Sequence, residues 1–182
     1  LIMTGMARSV QVASAGGKVK NPDYERWSRF APGASVTFEG YQVADGAKHS
    51  IRMTAKLVSK HEDRLLVERT YVLMDGKAAE PIRIQQFMVE ATINPADHPL
   101  ASPTSKITEG ASETLMIAGT AFKCRVRSVQ ATGEFPEYGR NVWATVSQSD
   151  SLPGGMAKVW LKSSKDNQPF EFRGQVVSYK AQ

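Results

Sequence analysis

The chain has 182 residues, 41% of them hydrophobic and 23% charged, with 23 Lys+Arg against 18 Asp+Glu and a formal charge of +5. These proportions belong to a globular chain long enough to bury one substantial core, and they exclude a wholly disordered one. The single cysteine, Cys124, excludes an intramolecular disulfide and a Cys-based zinc site, and no apolar run reaches the about 20 residues of a membrane-spanning helix.

The first segment, "LIMTGMARSVQVASAGG", opens on an apolar run and reaches Ala13-Ser14-Ala15, which has the small-x-small form of a signal-peptidase site. Residues 1–20 therefore read either as the remnant of an export signal, with a mature start at Gly16, or as a flexible extension. The first reading predicts a secreted or periplasmic protein. In "NPDYERWSRF", Asn21 can cap and Pro22 can open a short helix.

From Val36 onward the apolar residues recur with period two, the pattern of half-buried strands. Ile51, Met53, Ala55 and Leu57 fall on one face, and Arg52, Thr54 and Lys56 on the other. "HEDR" at 61–64 predicts a polar turn, "LLVERTYVLM" the next strand, and Asp75-Gly76 a hairpin into "PIRIQQFMVEATI". The proline-rich stretch 95–110 reads as a long connection. Beyond it, "ETLMIAGTAFKCRVRSV" breaks at Ala118-Gly119, and "NVWATV", "MAKVWLK" and "FEFRGQVVSYK" follow, the last two separated by "KDNQ" at 165–168. "LPGG" at 152–155 invites comparison with a phosphate loop. The alternation of Met156, Lys158, Trp160 and Lys162 with Ala157, Val159 and Leu161 predicts a strand after it, where such a loop needs a helix. Pro153 and Gly154 suit a type II turn instead.

The expected fold is mainly β: an antiparallel, strongly curved sheet or flattened half-barrel of about eight strands with one short N-terminal helix. Residues 21–182 form a single β-rich domain in two halves, 21–94 and 111–182, joined by the loop 95–110.

Catalytic chemistry finds little footing. None of His49, His61 and His98 lies in a nucleophile motif, and Cys124 alternates into an apolar face between Phe122 and Val126, where a buried thiol is inert. "HED" at 61–63 and "ADH" at 96–98 put imidazole beside carboxylate, but adjacent residues on an extended chain diverge, so both read as polar turns and no metal site is assigned. Glu134 and Glu137 read as residues of a solvated connection, the weak basis of an envelope-acting enzyme. No catalytic residue and no cofactor is indicated. Lys123, Arg125 and Arg127 make one basic stripe, and Lys158, Trp160 and Lys162 another. A polyanion groove uses such interleaving, yet a solvated sheet face looks the same and carries more weight, so nucleic acid is disfavoured as a partner. Ile51, Met53, Leu57, Phe122, Val126, Phe170 and Phe172 are expected on the concave side. There they either fill a core, the default expectation, or line a site for a hydrophobic small molecule.

Three stretches carry a resemblance: "WSRFAPGASVTF" with Trp27, Phe30, Pro32 and Gly33, "ETLMIAGTAFKC" with Gly119 and Cys124, and "WATVSQSDSLPGGMAKV" with Trp143, Pro153, Gly154 and Gly155. Together they resemble a family of uncharacterised secreted bacterial β-rich proteins, over most of residues 24–180. The resemblance implies export and a β-rich fold, with no activity to carry over. The chain is also distantly similar in plan to periplasmic lipoprotein-carrier half-barrels, which implies acyl-chain binding on a concave sheet. The functional expectation is a non-catalytic domain acting in binding or envelope structure, with a hydrophobic-ligand carrier as the alternative.

Overall fold

The computed structural model describes residues 17–44, 46–75 and 81–182. The export-signal reading and Gly76 of the predicted 75–76 turn lie outside the described residues. After a short β1 (Val19–Lys20), helix α1 spans Pro22–Trp27, and the Asn21 side chain caps it by accepting from the Asp23 amide at 3.0 Å. Ten further strands follow: β2 (Ser35–Ala44), β3 (Ala47–Lys60), β4 (Arg64–Leu73), β5 (Pro81–Glu90), β6 (Thr92–Ile93), β7 (Ser105–Ile117), β8 (Thr120–Phe135), β9 (Gly139–Gln148), β10 (Met156–Lys165) and β11 (Gln168–Lys180). A 3₁₀ turn covers Pro95–Asp97. The extended chain resumes at Ser105, so β7 takes in residues 105–110, which the proline content had suggested belong to the connection.

Nine strands form one antiparallel sheet in the order β5-β4-β3-β2-β11-β10-β9-β8-β7, while β1 and β6 pair separately. Each half is a meander of sequential hairpins, and the halves join because the last strand pairs with β2, the first strand of the large sheet. Local chemistry sets the hairpins. Ala118 and Gly119 both have positive φ at the β7–β8 turn, as do Asp166 and Asn167 at the β10–β11 turn. Two left-handed residues in a two-residue loop match the twist of the flanking strands. The His61 amide donates to the Arg64 carbonyl at 2.9 Å and closes the β3–β4 turn.

The sheet is strongly curved. β4 and β8 stand six places apart in strand order, about 29 Å if the sheet were flat, yet Leu65 and Val67 of β4 share one buried cluster with Phe122 and Cys124 of β8. Register shifts at Leu57/Ser59 in β3, Glu109/Ser112 in β7 and Val176/Ser178 in β11 supply local bends. The seam between halves is tight where Gly40 faces Gly174. A Cβ on Gly40 would lie 1.8 Å from the Arg173 carbonyl oxygen. Gly40→Ala is therefore expected to destabilise the fold by about 1–3 kcal/mol, since backbone cannot yield as a side-chain tip can. Urea unfolding of the variant checks this, and an unchanged midpoint would refute it.

Candidate functional site: a cavity under the N-terminal helix

The large sheet presents its concave face to α1, and the two do not fill the space between them. One part of the face is packed solid by Leu57, Leu65, Val146 and Val176, and Trp27, Val36, Ala55 and Val159 of the same cluster form the border between core and cavity. Beside this core lies a cavity of about 510 Å³, within the about 300–1,000 Å³ of small-molecule sites. Strand registers explain its lining. Phe38 faces Met53 across β2–β3, Val67 faces Phe87 across β4–β5, and Leu161 faces Phe172 across β10–β11, all six on the concave side and all on the cavity wall.

The position of α1 decides where core ends and cavity begins. Its six residues are too few to hold a helix alone. It is seated by Trp27, 7% exposed, against the 152–155 turn, in which Leu152 is fully buried. Gly154 has positive φ and the Gly155 amide donates to the Leu152 carbonyl at 2.8 Å, as the predicted turn requires, and Gly155 has positive φ as well. A Cβ on Gly154 would stand 2.9 Å from the Trp27 ring, and one on Gly155 2.7 Å from Arg26. The Pro-Gly-Gly element is thus both a hairpin joint and the bare surface on which the helix rests.

At its other end α1 enters a buried polar cluster. The Asp23 carboxylate accepts from Arg26 at 3.0 Å, from the Tyr138 hydroxyl at 3.1 Å and from His98 Nε2 at 3.3 Å. His98 Nδ1 accepts the Leu100 amide at 3.1 Å, which places the ring proton on Nε2 and makes His98 a donor to Asp23. Burial alone would push the Asp23 carboxyl up. The His98 hydrogen bond and the charges of Arg26 and Arg69 outweigh it and hold the group well below the usual carboxylate range. Burial, reinforced by the negative charges of Asp23 and Glu137, raises Tyr138 well above an ordinary phenol, so it remains a donor. With both His98 nitrogens engaged, the cluster ties helix to sheet and leaves no free base. The "ADH" stretch is a turn with Ala96 and Asp97 exposed, as expected, but its His98 belongs to this cluster and is only 4% exposed.

A second group of charges lies on the cavity wall. Arg69 continues the concave face of β4 after Leu65 and Val67, stacks over the Phe87 ring at 4.4 Å from its centroid, and meets Glu137 of the β8–β9 turn at 3.6 Å. Lys165, at the end of β10, lies over Phe170 at 4.6 Å. Burial and the neighbouring charges of Arg83 and Arg69 lower the pKa of Lys165. Glu137 is therefore an ion-pair partner at the cavity, not a freely solvated loop residue, whereas Glu134 is exposed and within 4.0 Å of Arg140.

Of the residues expected on a ligand-binding face, Met53, Phe170 and Phe172 line the cavity. Leu57 and Phe122 belong to the solid core, Ile51 is buried outside the cavity lining, and Val126 is half-buried. The burial phase of β8 changes between Cys124 and Val129, which takes Val126 off the buried side and turns Arg127 partly inward. The basic stripes are interleaved with acids: Arg125 lies 3.8 Å from Asp150, Arg127 2.8 Å from Glu109, Lys158 4.0 Å from Glu113 and Lys162 3.8 Å from Glu171. Trp160 donates to that same Glu171 at 2.8 Å. Lys123 is exposed. Cys124 is fully buried and its thiol is pushed up, first by burial and then by Glu113.

Asp23, Arg69, Tyr138 and Lys165 were not singled out from the sequence. For Arg69 a signal existed, because in "LLVERTYVL" the inward phase of Leu65 and Val67 continues through Arg69 and Tyr71. No family model and no curated protein matches the chain. Two solved structures resemble this chain at low identity. A Bacteroides fragilis protein described as exported, with a YmcC-like fold, is 12% identical over 83% of this chain and 98% of its own, with a TM-score of 0.45. An outer-membrane lipoprotein-sorting protein domain from Vibrio parahaemolyticus is 10% identical over 88% and 91%, with a TM-score of 0.33. At those identities and scores neither bears on individual residues of the cavity.

Proposed function

We propose that this chain is a non-catalytic binding domain, working in the cell envelope or secreted, that carries a lipid or other hydrophobic ligand on its concave face. The observation that supports this most is the 510 Å³ cavity with Phe38, Met53, Phe87, Leu161 and Phe172 on its wall. An apolar chain placed there leaves water at about 0.8 kcal/mol per methylene, enough to drive binding without any directed polar contact. The engaged nitrogens of His98 and the buried thiol of Cys124 favour a binding role over a catalytic one. Among the described residues, no helix is long and apolar enough to cross a membrane.

Titration with N-phenyl-1-naphthylamine, a neutral apolar dye, tests the proposal. Saturable fluorescence enhancement at one dye per chain is expected, with displacement by long-chain alcohols and strong loss in Met53→Trp, which fills the cavity. Absence of saturable binding by a folded sample would overturn it.

A further inference from the structure

The cavity wall is not uniformly apolar, and the exception has a chemical direction. Arg69 carries five N–H donors, yet its one ion-pair partner among the described residues, Glu137, stands 3.6 Å away, beyond good hydrogen-bond length. The guanidinium carbon lies over the Phe87 ring, 4.4 Å from its centroid, on the apolar wall. Lys165 lines the same cavity over Phe170, so two cations meet at this part of the wall. Here Glu137 is the one carboxylate within ion-pair distance of Arg69 among the described residues, and Asp23 and Asp166 act on the pair from farther off. The remaining acids on the lining are placed otherwise. Asp23 is saturated by Arg26, His98 and Tyr138. Glu90 faces Arg64 at the end of the β4–β5 ladder, beyond the Arg69–Gln85 pair, and Asp97 belongs to the 3₁₀ turn.

Resting on the hydrophobic-ligand reading above, we propose that the cavity selects a single-chain amphiphile with an anionic head, the chain lying along Phe38, Met53 and Phe172 and the head meeting Arg69 with Lys165 beside it. An Arg fork matches a carboxylate or phosphate bidentately, and partial burial strengthens that contact. Glu137 then acts as the internal competitor for Arg69, which the anionic head displaces.

Displacement of bound N-phenyl-1-naphthylamine by palmitate, palmitoyl lysophosphatidic acid, hexadecanol and hexadecyltrimethylammonium, each below its micellar concentration, tests this. The two anions are expected to bind about tenfold more tightly than the alcohol, and the cation more weakly than the alcohol. The stronger of the two anions identifies the head as carboxylate or phosphate. Arg69→Gln is expected to bring palmitate within about twofold of hexadecanol, read as the ratio of the two affinities in the same variant, and Glu137→Gln to strengthen palmitate several-fold. Lys165→Gln, at an exposed hairpin end, is expected to remove part of the preference and serves as the second variant should Arg69→Gln fold poorly. Equal affinity for palmitate and hexadecanol, or a preference that survives both Arg69→Gln and Lys165→Gln, would overturn the anionic-head proposal alone. Binding of none of the compounds would overturn the hydrophobic-ligand reading, and this proposal with it.

Discussion

Replacing Trp27 by alanine is expected to cost about 3–5 kcal/mol of stability and to enlarge the cavity at the same time. The indole is the one buried side chain of α1 in the core, with Tyr24 packed partly buried against the same cluster. It is 7% exposed, belongs to the main buried cluster, and packs against the bare backbone of Gly154. A six-residue helix has no stability of its own, so the loss is not confined to one side chain: without its apolar anchor α1 is held mainly by the polar contacts of Asp23 and Tyr24. Urea unfolding measures the first effect and dye titration the second, since Trp27 is also on the cavity wall. Gly154→Ala approaches the same contact from the other side. Its φ of 70° disfavours any L side chain, and the added methyl would stand 2.9 Å from the ring. A Trp27→Ala variant within 1 kcal/mol of wild type would show that α1 is dispensable to the fold.

Asp23→Ala is expected to destabilise on the order of 3 kcal/mol, because removing one member of a buried charged cluster leaves Arg26, His98 and Tyr138 without their common acceptor. The effect depends on pH, and its sign follows from the direction of the shift. The folded state holds the Asp23 carboxyl below its unfolded value of about 3.9. Its contribution is therefore fully present above that value and is lost as pH falls through it toward the lower folded one. Wild type and Asp23→Asn should differ most near neutral pH and converge in acid. Urea midpoints at pH 7 and pH 3 measure this, and a gap that widened toward pH 3 would contradict the assignment of Asp23 as the ionised centre of the cluster.

Strand phase and turn chemistry were legible because they are local. The alternation of Ile51, Met53, Ala55 and Leu57 needs only the period-two geometry of an extended chain, and the turns at Ala118-Gly119 and 165–168 need only residues that accept positive φ. Asn21 as a cap is equally local, since its partner is two residues away. The Asp23 cluster is of another kind. His98 lies 75 residues and Tyr138 115 residues from Asp23; His98 had an ordinary local reading in a polar turn, and nothing local marked Tyr138. Val126 shows a subtler limit. The phase of β8 changes partway along its length, so a strict alternation counted from Phe122 loses its facing by Val129.

The sequence by itself determined that this chain is β-rich, where the hairpins at 61–64, 118–119, 152–155 and 165–168 turn, that a short capped helix precedes them, and that "LPGG" opens a strand and not a helix. Only the tertiary structure decided that the last strand pairs with β2, that Trp27 seats α1 on the glycines of that turn, and that the concave face is partly core and partly cavity. The reason is the range of the forces involved. Backbone torsions and side-chain alternation act over a few residues. Whether apolar residues meet one another or leave a space depends on the curvature of nine strands and on one helix held from outside the sheet.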